Sequence, residues 1–341
     1  MRQKMNFSDR LQEAVGGYPP LFDRDISVDN VDPRRSCLQP VYQRFRDASH
    51  RLALPPDRGE WLDFESGRKP MLRLVLDSAE YRRLLQHSRD FGWVTALVDR
   101  SSSHEKSSVD PSRKTILLGR EIQTVKEAAR LDSELLDGRV TIDEWQTLGR
   151  RFGELLGYPS CCVEHFISLP PNASNEQVIR SIAVRSKRFE PWLNNLTMSA
   201  YHAICWFPCR YDCDASLRIA RHVDGLLRTS CSSNHYHRVQ HFLSMPRLVF
   251  DERRQLLFGG AVQHHGRVHY HSVYSLFSFD FQPSFVWTDW LFFIDVVMHF
   301  QQADWFEHHD PLMVIGKKDA TTVEFRCHRS PTWMPFGWQD G

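Results

Sequence analysis

The spacing of apolar residues gives mixed strand and helix signals in the first half of the chain. From Met71, short apolar runs predict strands over residues 72–76, 93–98 and 115–119. Helical spacing over residues 78–91 joins the first two of these runs. The pattern therefore predicts a small β-α-β unit followed by a third strand.

Four further helices are predicted toward the middle of the chain. Residues 121–136 have helical spacing, and residues 141–156 begin with the Thr-x-x-Glu pattern of a capping box. Gly157 is expected to end that helix, and Ser160 to cap the next one. Another helix is expected over about residues 215–227. The sequence thus predicts a tight corner between two helices near residue 157.

Beyond Met245 the spacing of apolar residues changes to that of strands. An apolar helix is expected from Thr288 to about Phe306, and the strand signals lie at residues 247–250, 256–258 and 322–326, with a hairpin over 262–274 that turns at His265-Gly266. The predicted class is α+β, with a small N-terminal β-α-β unit, a central helical cysteine region, and a C-terminal antiparallel sheet with a helix.

The composition changes from segment to segment in a way that suggests boundaries. Residues 1–70 are rich in Pro, Arg and Asp and predict an irregular N-terminal segment. Residues 71–155 form the predicted small α/β unit, and residues 156–341 hold the cysteines and the later sheet. We expect the last two regions to form one compact body.

Charge and hydropathy narrow the classes of partner. The 43 Lys and Arg residues nearly balance the 42 Asp and Glu residues, so the basic surface typical of nucleic-acid binding is not expected. The longest apolar run, residues 291–300, is too short to cross a membrane and contains Asp295, and the first residues have no apolar signal-peptide core. The sequence therefore predicts a cytoplasmic protein that acts on a small-molecule or peptide substrate, without nucleic-acid or membrane partners.

Five of the eight cysteines lie close together in the sequence. They are Cys161, Cys162, Cys205, Cys209 and Cys213. In a reducing compartment such thiols are more typical of metal or redox chemistry than of disulfides. The adjacent pair is predicted in the first turn of a helix, where free backbone N–H groups stabilise a thiolate. The clustering therefore indicates thiol or metal chemistry.

Four of these thiols, those of Cys161, Cys162, Cys209 and Cys213, match the number that zinc or an iron–sulfur cluster takes up. Adjacent cysteines point in different directions, so only one of the first two is expected to ligate. His165 lies one helical turn after Cys161 and is a further candidate ligand. A redox or nucleophilic thiol without metal, with Cys161 and Cys162 as the catalytic groups, and plain core packing are the alternatives.

Two histidine pairs are weaker candidates for the wall of a pocket. His269 and His271 would share one face of a strand, about 7 Å apart. Asp295 and His299 are four residues apart in the apolar helix and would share a helix face. Solvent-facing strand residues, and a buried Asp–His pair that satisfies itself, are the respective alternatives.

Two motifs in the cysteine region resemble those of a known family. Residues 155–166, with Leu-Gly-Tyr-Pro-Ser-Cys-Cys, and residues 207–216, with Pro-Cys-Arg-Tyr-Asp-Cys, are similar to the paired Gly-Tyr-Pro-x-Cys-Cys and Pro-Cys-x-x-x-Cys signatures of an uncharacterised archaeal and bacterial family, a domain of unknown function. The resemblance covers about residues 120–230. It implies that the four cysteines act together, and it names no reaction.

Two functions from different classes follow from these observations. The first is a metal- or thiol-dependent enzyme, such as an oxidoreductase or a biosynthetic tailoring enzyme, centred on the four cysteines. The second is a non-catalytic, zinc-stapled binding protein. A closed set of four protein ligands favours the second, and an open coordination position favours the first. A chain with this large a core does not need a metal to fold, which favours the enzyme.

Overall fold

The structure is a computed structural model of mixed α+β class, and its described strands form three antiparallel sheets, which confirms the predicted class. The described residues are 58–76, 78–98, 114–137, 139–171, 173–195, 203–230, 233–251, 254–277, 287–309, 312–317, 322–327 and 331–337. They belong to two compact units. Of the described residues, those of 58–195 and 203–238 lie in the first unit and those of 239–337 lie in the second. The boundary predicted between residues 155 and 156 falls inside the first unit.

The first unit contains one sheet and most of the helices. Its strands are β1 (Met71–Leu76), β2 (Val94–Leu97) and β3 (Lys114–Gly119), and its helices are α1 (Arg58–Glu65), α2 (Ser78–Asp90), α3 (Ile122–Asp137), α4 (Ile142–Leu155), α5 (Ser160–Ile167), α6 (Asn175–Arg185) and α7 (Asp214–Ser230). A short 3₁₀ helix spans Pro191–Leu193, and α8 (Ser233–Ser244) follows α7. Helix α1 lies within the segment predicted to be irregular, and the rest of that prediction falls mostly outside the described residues.

The small sheet corrects the predicted β-α-β unit in one respect. Strand β3 lies between β1 and β2 and pairs antiparallel with both. The two strands joined by α2 are therefore not neighbours. Ile116, Leu117 and Leu118 of β3 are fully buried, and a strand on each side pairs the backbone N–H and C=O groups of this buried strand.

The corner between α4 and α5 has the predicted helix ends. Thr141 and Glu144 form the capping box at the start of α4. Gly157 adopts a left-handed φ of 75° immediately after α4. Gly153 allows the close approach of α5, because a Cβ there would lie 2.6 Å from a Val163 methyl group. Two glycines thus fix how α5 leaves the corner.

The second unit is built on two sheets. Its strands are β4 (Arg247–Asp251), β5 (Arg254–Gly259), β6 (Val262–His264), β7 (Arg267–His269), β8 (Ser272–Phe277), β9 (Trp305–His309), β10 (Leu312–Gly316), β11 (Thr322–Arg326) and β12 (Thr332–Met334), and its helix is α9 (Trp287–Gln302). One sheet has the order β12-β4-β5-β8, and the other has the order β11-β10-β9-β7-β6. The predicted turn at His265-Gly266 is confirmed, since both residues have positive φ.

Two elements of this unit, the hairpin and the apolar helix, end earlier in the structure than the sequence predicted. The hairpin ends at β7, because the chain then crosses to the other sheet, where β8 pairs with β5. The apolar helix ends at Gln302, and Phe306 lies in strand β9. Phe306 is fully buried among the rings of Phe258, Phe300 and Trp333, so its apolar character comes from the sheet core. Within the described part of the chain, no helix is both long and apolar enough to span a membrane.

We expect Gly157→Ala to lower the free energy of unfolding by about 1–3 kcal/mol, because alanine is strained at this φ and its Cβ would lie 2.6 Å from Pro70 Cδ. Urea denaturation followed by circular dichroism measures the change. Gly225→Ala is the matched control, since it lies in helix α7 with nothing within 4 Å of the added Cβ. Equal effects of the two substitutions would contradict this account of the corner.

Candidate metal centre

The first pair of cysteines is placed by the end of α4. Tyr158 N–H donates to Gly153 O at 3.0 Å and Gly157 N–H donates to Glu154 O at 2.9 Å, which is the hydrogen-bond pattern of a Schellman motif. Helix α5 follows at once, with Pro159 as its N-cap. Cys161 and Cys162 therefore lie in its first turn, as predicted. The predicted cap at Ser160 is wrong, because this residue is already helical and no side chain caps the helix.

The second pair lies on the segment that leads into α7. Cys213 N–H donates to Arg210 O at 3.2 Å, and Cys213 O accepts from Leu217 N–H at 2.9 Å, so Cys213 begins the helix. The fully buried Tyr211 anchors this segment: its N–H donates to Ser186 Oγ at 2.7 Å, and its ring stacks on Phe189. The turn that holds Cys209 and Cys213 is thus fixed to the chain after α6.

The four cysteines come together although about fifty residues separate the two pairs. Their Sγ atoms all lie within 4.8 Å of one another. Cys161 Sγ is 3.6 Å from Cys213 Sγ and 3.9 Å from Cys162 Sγ, and Cys162 Sγ is 3.8 Å from Cys213 Sγ. Both members of the adjacent pair point into the group. The expectation that adjacent cysteines point in different directions is therefore wrong here, and the four sulfurs are close enough to hold a metal ion.

Donor groups surround the sulfur of Cys162. The backbone N–H of Cys209 donates to it at 3.3 Å, and Ser216 Oγ lies 3.2 Å away. Trp206 Nε1 also contacts Ser216 Oγ at 3.2 Å, and an indole N–H only donates. Ser216 accepts from Trp206, so its own proton is free to donate to Cys162. This chain of donors favours a thiolate at Cys162 when a cation is bound.

The pKa values of the Cys213 and Cys162 thiols are shifted in opposite directions. Hydrogen bonds from Cys162 and then Cys209 hold the pKa of Cys213 well below its usual range, and the backbone of Ser216 acts in the same direction. The pKa of Cys162 is raised, because its thiol hydrogen-bonds Cys209 and Cys213 and is buried. Without a cation, the group therefore keeps protons that a metal ion must displace, and metal affinity should fall as the pH falls.

His165 does not belong to the sulfur group. Its Nδ1 lies 3.2 Å from Arg185 NH1 and its Nε2 lies 3.2 Å from Ser181 Oγ. Because a guanidinium only donates, Nδ1 accepts and Nε2 carries the proton. Both ring nitrogens are used, so the predicted ligand role of His165 is not supported. His165 does lie one helical turn after Cys161, but its ring faces α6.

The other histidine candidates lie in the second unit and do not assemble. His269 ends β7 and the exposed His271 follows it outside the strand, so the predicted common strand face does not exist. His299 Nδ1 is 3.6 Å from Asp295 Oδ1 in a surface pair, with 37% and 61% of these side chains exposed. Among the described residues, the four cysteines are the only group of three or more side chains close enough to share a metal ion.

A buried ion pair supports the corner, and sequence reasoning missed it. Lys69 Nζ lies 3.2 Å from Glu60 Oε1, donates to Leu156 O at 3.0 Å, and lies over the ring of Tyr158. Cys205 Sγ donates to the same Glu60 oxygen at 2.9 Å. The pKa of Lys69 is raised: desolvation by burial lowers it, but the interactions of its ammonium with Cys205 and Glu60 outweigh this. The isolated lysine in a polar stretch gave no signal of this role.

A shallow cleft of about 330 Å³ lies between the corner and the first turns of α7. Its walls are apolar at Tyr158, Pro159 and Ile219, and Arg68 and Arg218 contribute two guanidinium groups. Pro159 precedes Cys161 by two residues, and another lining residue, Ala215, follows Cys213 by two. The cleft is therefore close to the sulfur group, although its lining includes none of the four cysteines.

We expect the pKa of His165 to lie below 6.5, because burial and then the charge of Arg185 disfavour the imidazolium. NMR titration of the ring protons measures this pKa. Arg185→Gln should raise it. Arg180→Gln, which removes a guanidinium paired with Glu176 on the same helix, should leave it unchanged. A wild-type value at or above 6.5 would refute the neutral tautomer assigned to His165.

The chain matches no protein-family model, no curated protein and no solved structure. The resemblance of its two cysteine motifs to an uncharacterised family therefore stays a prediction that rests on residues 155–166 and 207–216.

Proposed function

We propose that this protein binds one metal ion, best matched by Zn²⁺, through the thiolates of Cys161, Cys162, Cys209 and Cys213. The observation that carries the proposal is the spacing of the sulfurs. A zinc–sulfur bond of about 2.3 Å gives a tetrahedron whose edge is about 3.8 Å. Three of the sulfur pairs lie 3.6, 3.8 and 3.9 Å apart. The protein alone therefore holds these thiols close to the edges of that tetrahedron.

The same spacing favours a single ion over an iron–sulfur cluster. Two ligands of one ion are at most about 4.6 Å apart, which is twice the metal–sulfur bond. In a cluster the four cysteines are divided among two or four irons, so sulfurs that bind different irons must be farther apart than two ligands of one ion. All four sulfurs lie within 4.8 Å of one another. The separations of 3.6, 3.8 and 3.9 Å lie within the limit for one ion, and four thiolates in a tetrahedral arrangement are typical ligands of zinc or of a single iron.

The surroundings of the four sulfurs suit negative charge. Cys161 and Cys162 occupy the first turn of α5, and Cys213 immediately precedes α7. Both helix N-termini point their partial positive charge at the sulfurs. Cys162 also receives the Cys209 N–H. A zinc ion with four thiolates has a net charge of about −2, which these dipoles and donors offset.

The role we assign to this centre is structural. Four protein ligands complete a tetrahedron, whereas catalytic zinc sites keep one position open. The ion would join the start of α5 to the segment before α7, and the protein would thus be the metal-stapled binding protein of the two hypotheses. The metal-dependent enzyme remains the second candidate because an open cleft lies beside the centre.

We expect protein purified with zinc to contain one zinc ion per chain. Cys209→Ser should abolish stoichiometric binding and lower the thermal unfolding midpoint, because metal binding contributes to folding. Inductively coupled plasma mass spectrometry and calorimetry make the two measurements. Cys327→Ser is the matched control, since Cys327 is a buried cysteine of the second unit and is in no disulfide. Full zinc occupancy in Cys209→Ser would refute the proposal, and a brown protein containing iron and sulfide would replace zinc with a cluster.

Ser216→Ala should weaken zinc binding by about 10- to 100-fold, because it removes a donor to the Cys162 thiolate without removing a ligand. Competition with a chromophoric chelator measures the affinity. Thr229→Ala is the control, because this hydroxyl of α7 bonds only helix carbonyls of Gly225 and Leu226. Unchanged affinity in Ser216→Ala would show that the Trp206–Ser216 chain does not act on the metal centre.

A further inference from the structure

The four cysteines are not equivalent in their exposure. Cys162, Cys209 and Cys213 are buried, with 2%, 8% and 3% of their surface accessible. Cys161 is exposed. A reagent in solution therefore meets one of the four ligands and not the other three.

The hydrogen bonds to the sulfurs also distinguish Cys161 from Cys162 and Cys213. Cys162 receives the Cys209 N–H and contacts Ser216 Oγ, and the backbone of Ser216 bonds Cys213. Within the described part of the chain, Cys161 Sγ has only the sulfurs of Cys162 and Cys213 as hydrogen-bond neighbours. Hydrogen-bond donors withdraw charge from a thiolate and lower its nucleophilicity. Cys161 is thus the accessible ligand, and its sulfur has fewer donors than those of Cys162 and Cys213.

We propose that the Cys161 thiolate is a nucleophile that accepts an alkyl group while the other three cysteines retain the metal. This inference rests on the proposed metal centre. The sulfur lone pair attacks an electrophilic sp³ carbon, a carbon–sulfur bond forms, and the bond from that carbon to its leaving group breaks. The leaving group departs with the electron pair. No oxidant or reductant is required, and Cys161 becomes a thioether.

The cleft defines the class of electrophile. Tyr158, Pro159 and Ile219 offer apolar contact, and Arg218 lines the cleft with no hydrogen bond or ion pair to any described residue. Arg68, in contrast, is paired with Asp63. A free guanidinium binds carboxylate and phosphate groups through paired hydrogen bonds. The substrate class is therefore a small alkylating molecule with an apolar body and an anionic group.

The experiment uses the zinc-loaded wild-type protein with iodoacetamide, in the presence of excess free zinc, and peptide mass spectrometry at successive times. Zinc content at the start tests the metal centre separately, so a zinc-free protein refutes the proposed function and, with it, this inference. With zinc bound, Cys161 should be alkylated at least about 10-fold faster than Cys162, Cys209 and Cys213. Its rate should be proportional to iodoacetamide and independent of free zinc.

Equal labelling of the four ligands, protection of all four, or a Cys161 rate that falls as free zinc rises would overturn the proposal while leaving the metal centre intact. The last result would mean that the thiolate reacts only after the metal leaves.

Iodoacetate in place of iodoacetamide tests the assigned class of electrophile. Near a centre of net negative charge, the anionic reagent should be the slower one unless Arg218 binds it. We expect the ratio of iodoacetate to iodoacetamide rates at Cys161 to fall several-fold in Arg218→Gln. Arg221→Gln, an exposed arginine of the same helix outside the cleft lining, should leave the ratio unchanged. Equal ratios in the two variants would refute the role of Arg218.

Discussion

Mutual repulsion between thiolates is the constraint on which the first unit depends. Two unit charges about 4 Å apart repel by about 4 kcal/mol at an effective dielectric constant of 20, and four sulfurs at this spacing form six such pairs. The protein meets this constraint in part by itself, because two helix N-termini and the Cys209 N–H face the sulfurs. Protons or a cation must neutralise the remainder, which is why the thiols of Cys162 and Cys213 differ so widely in acidity.

The corner between α4 and α5 positions the sulfurs of Cys161 and Cys162. The buried positive charge of Lys69 contacts this corner. Lys69 is almost fully buried, and its ammonium contacts Glu60 and the carbonyl of Leu156, the residue that follows α4. Tyr158 lies under that ammonium and packs on Trp206, which in turn bonds Ser216 beside Cys162. A continuous set of contacts thus joins the buried ion pair to the sulfur group. A substitution of Lys69 should therefore disturb the positions of the metal ligands as well as the packing of the core.

Local signals in the sequence predicted the parts of this site that are themselves local. The capping box, the glycine corner and the assembly of the four cysteines were all predicted, because each depends on a few adjacent residues or on an unusual clustering of one residue type. The orientation of His165 was not predictable, since it depends on Arg185 of another helix. The insertion of β3 between β1 and β2, and the ion pair of Lys69 with Glu60, likewise depend on long-range packing. The spacing of adjacent cysteines was misleading because the helix start turns both sulfurs to one side.

The separation of the two cysteine pairs along the chain has an entropic consequence. Cys161 and Cys213 are 52 residues apart, and closing a flexible loop of that length costs about 3.5 kcal/mol before the constant contribution. In the folded protein this cost is met by the packing of α4 on α5 and by the anchoring of Tyr211. An ion that reaches the folded chain therefore finds its ligands already assembled. The same two motifs on an unstructured peptide would bind it several-hundred-fold more weakly, so the affinity of the centre belongs to the whole unit and not to its motifs.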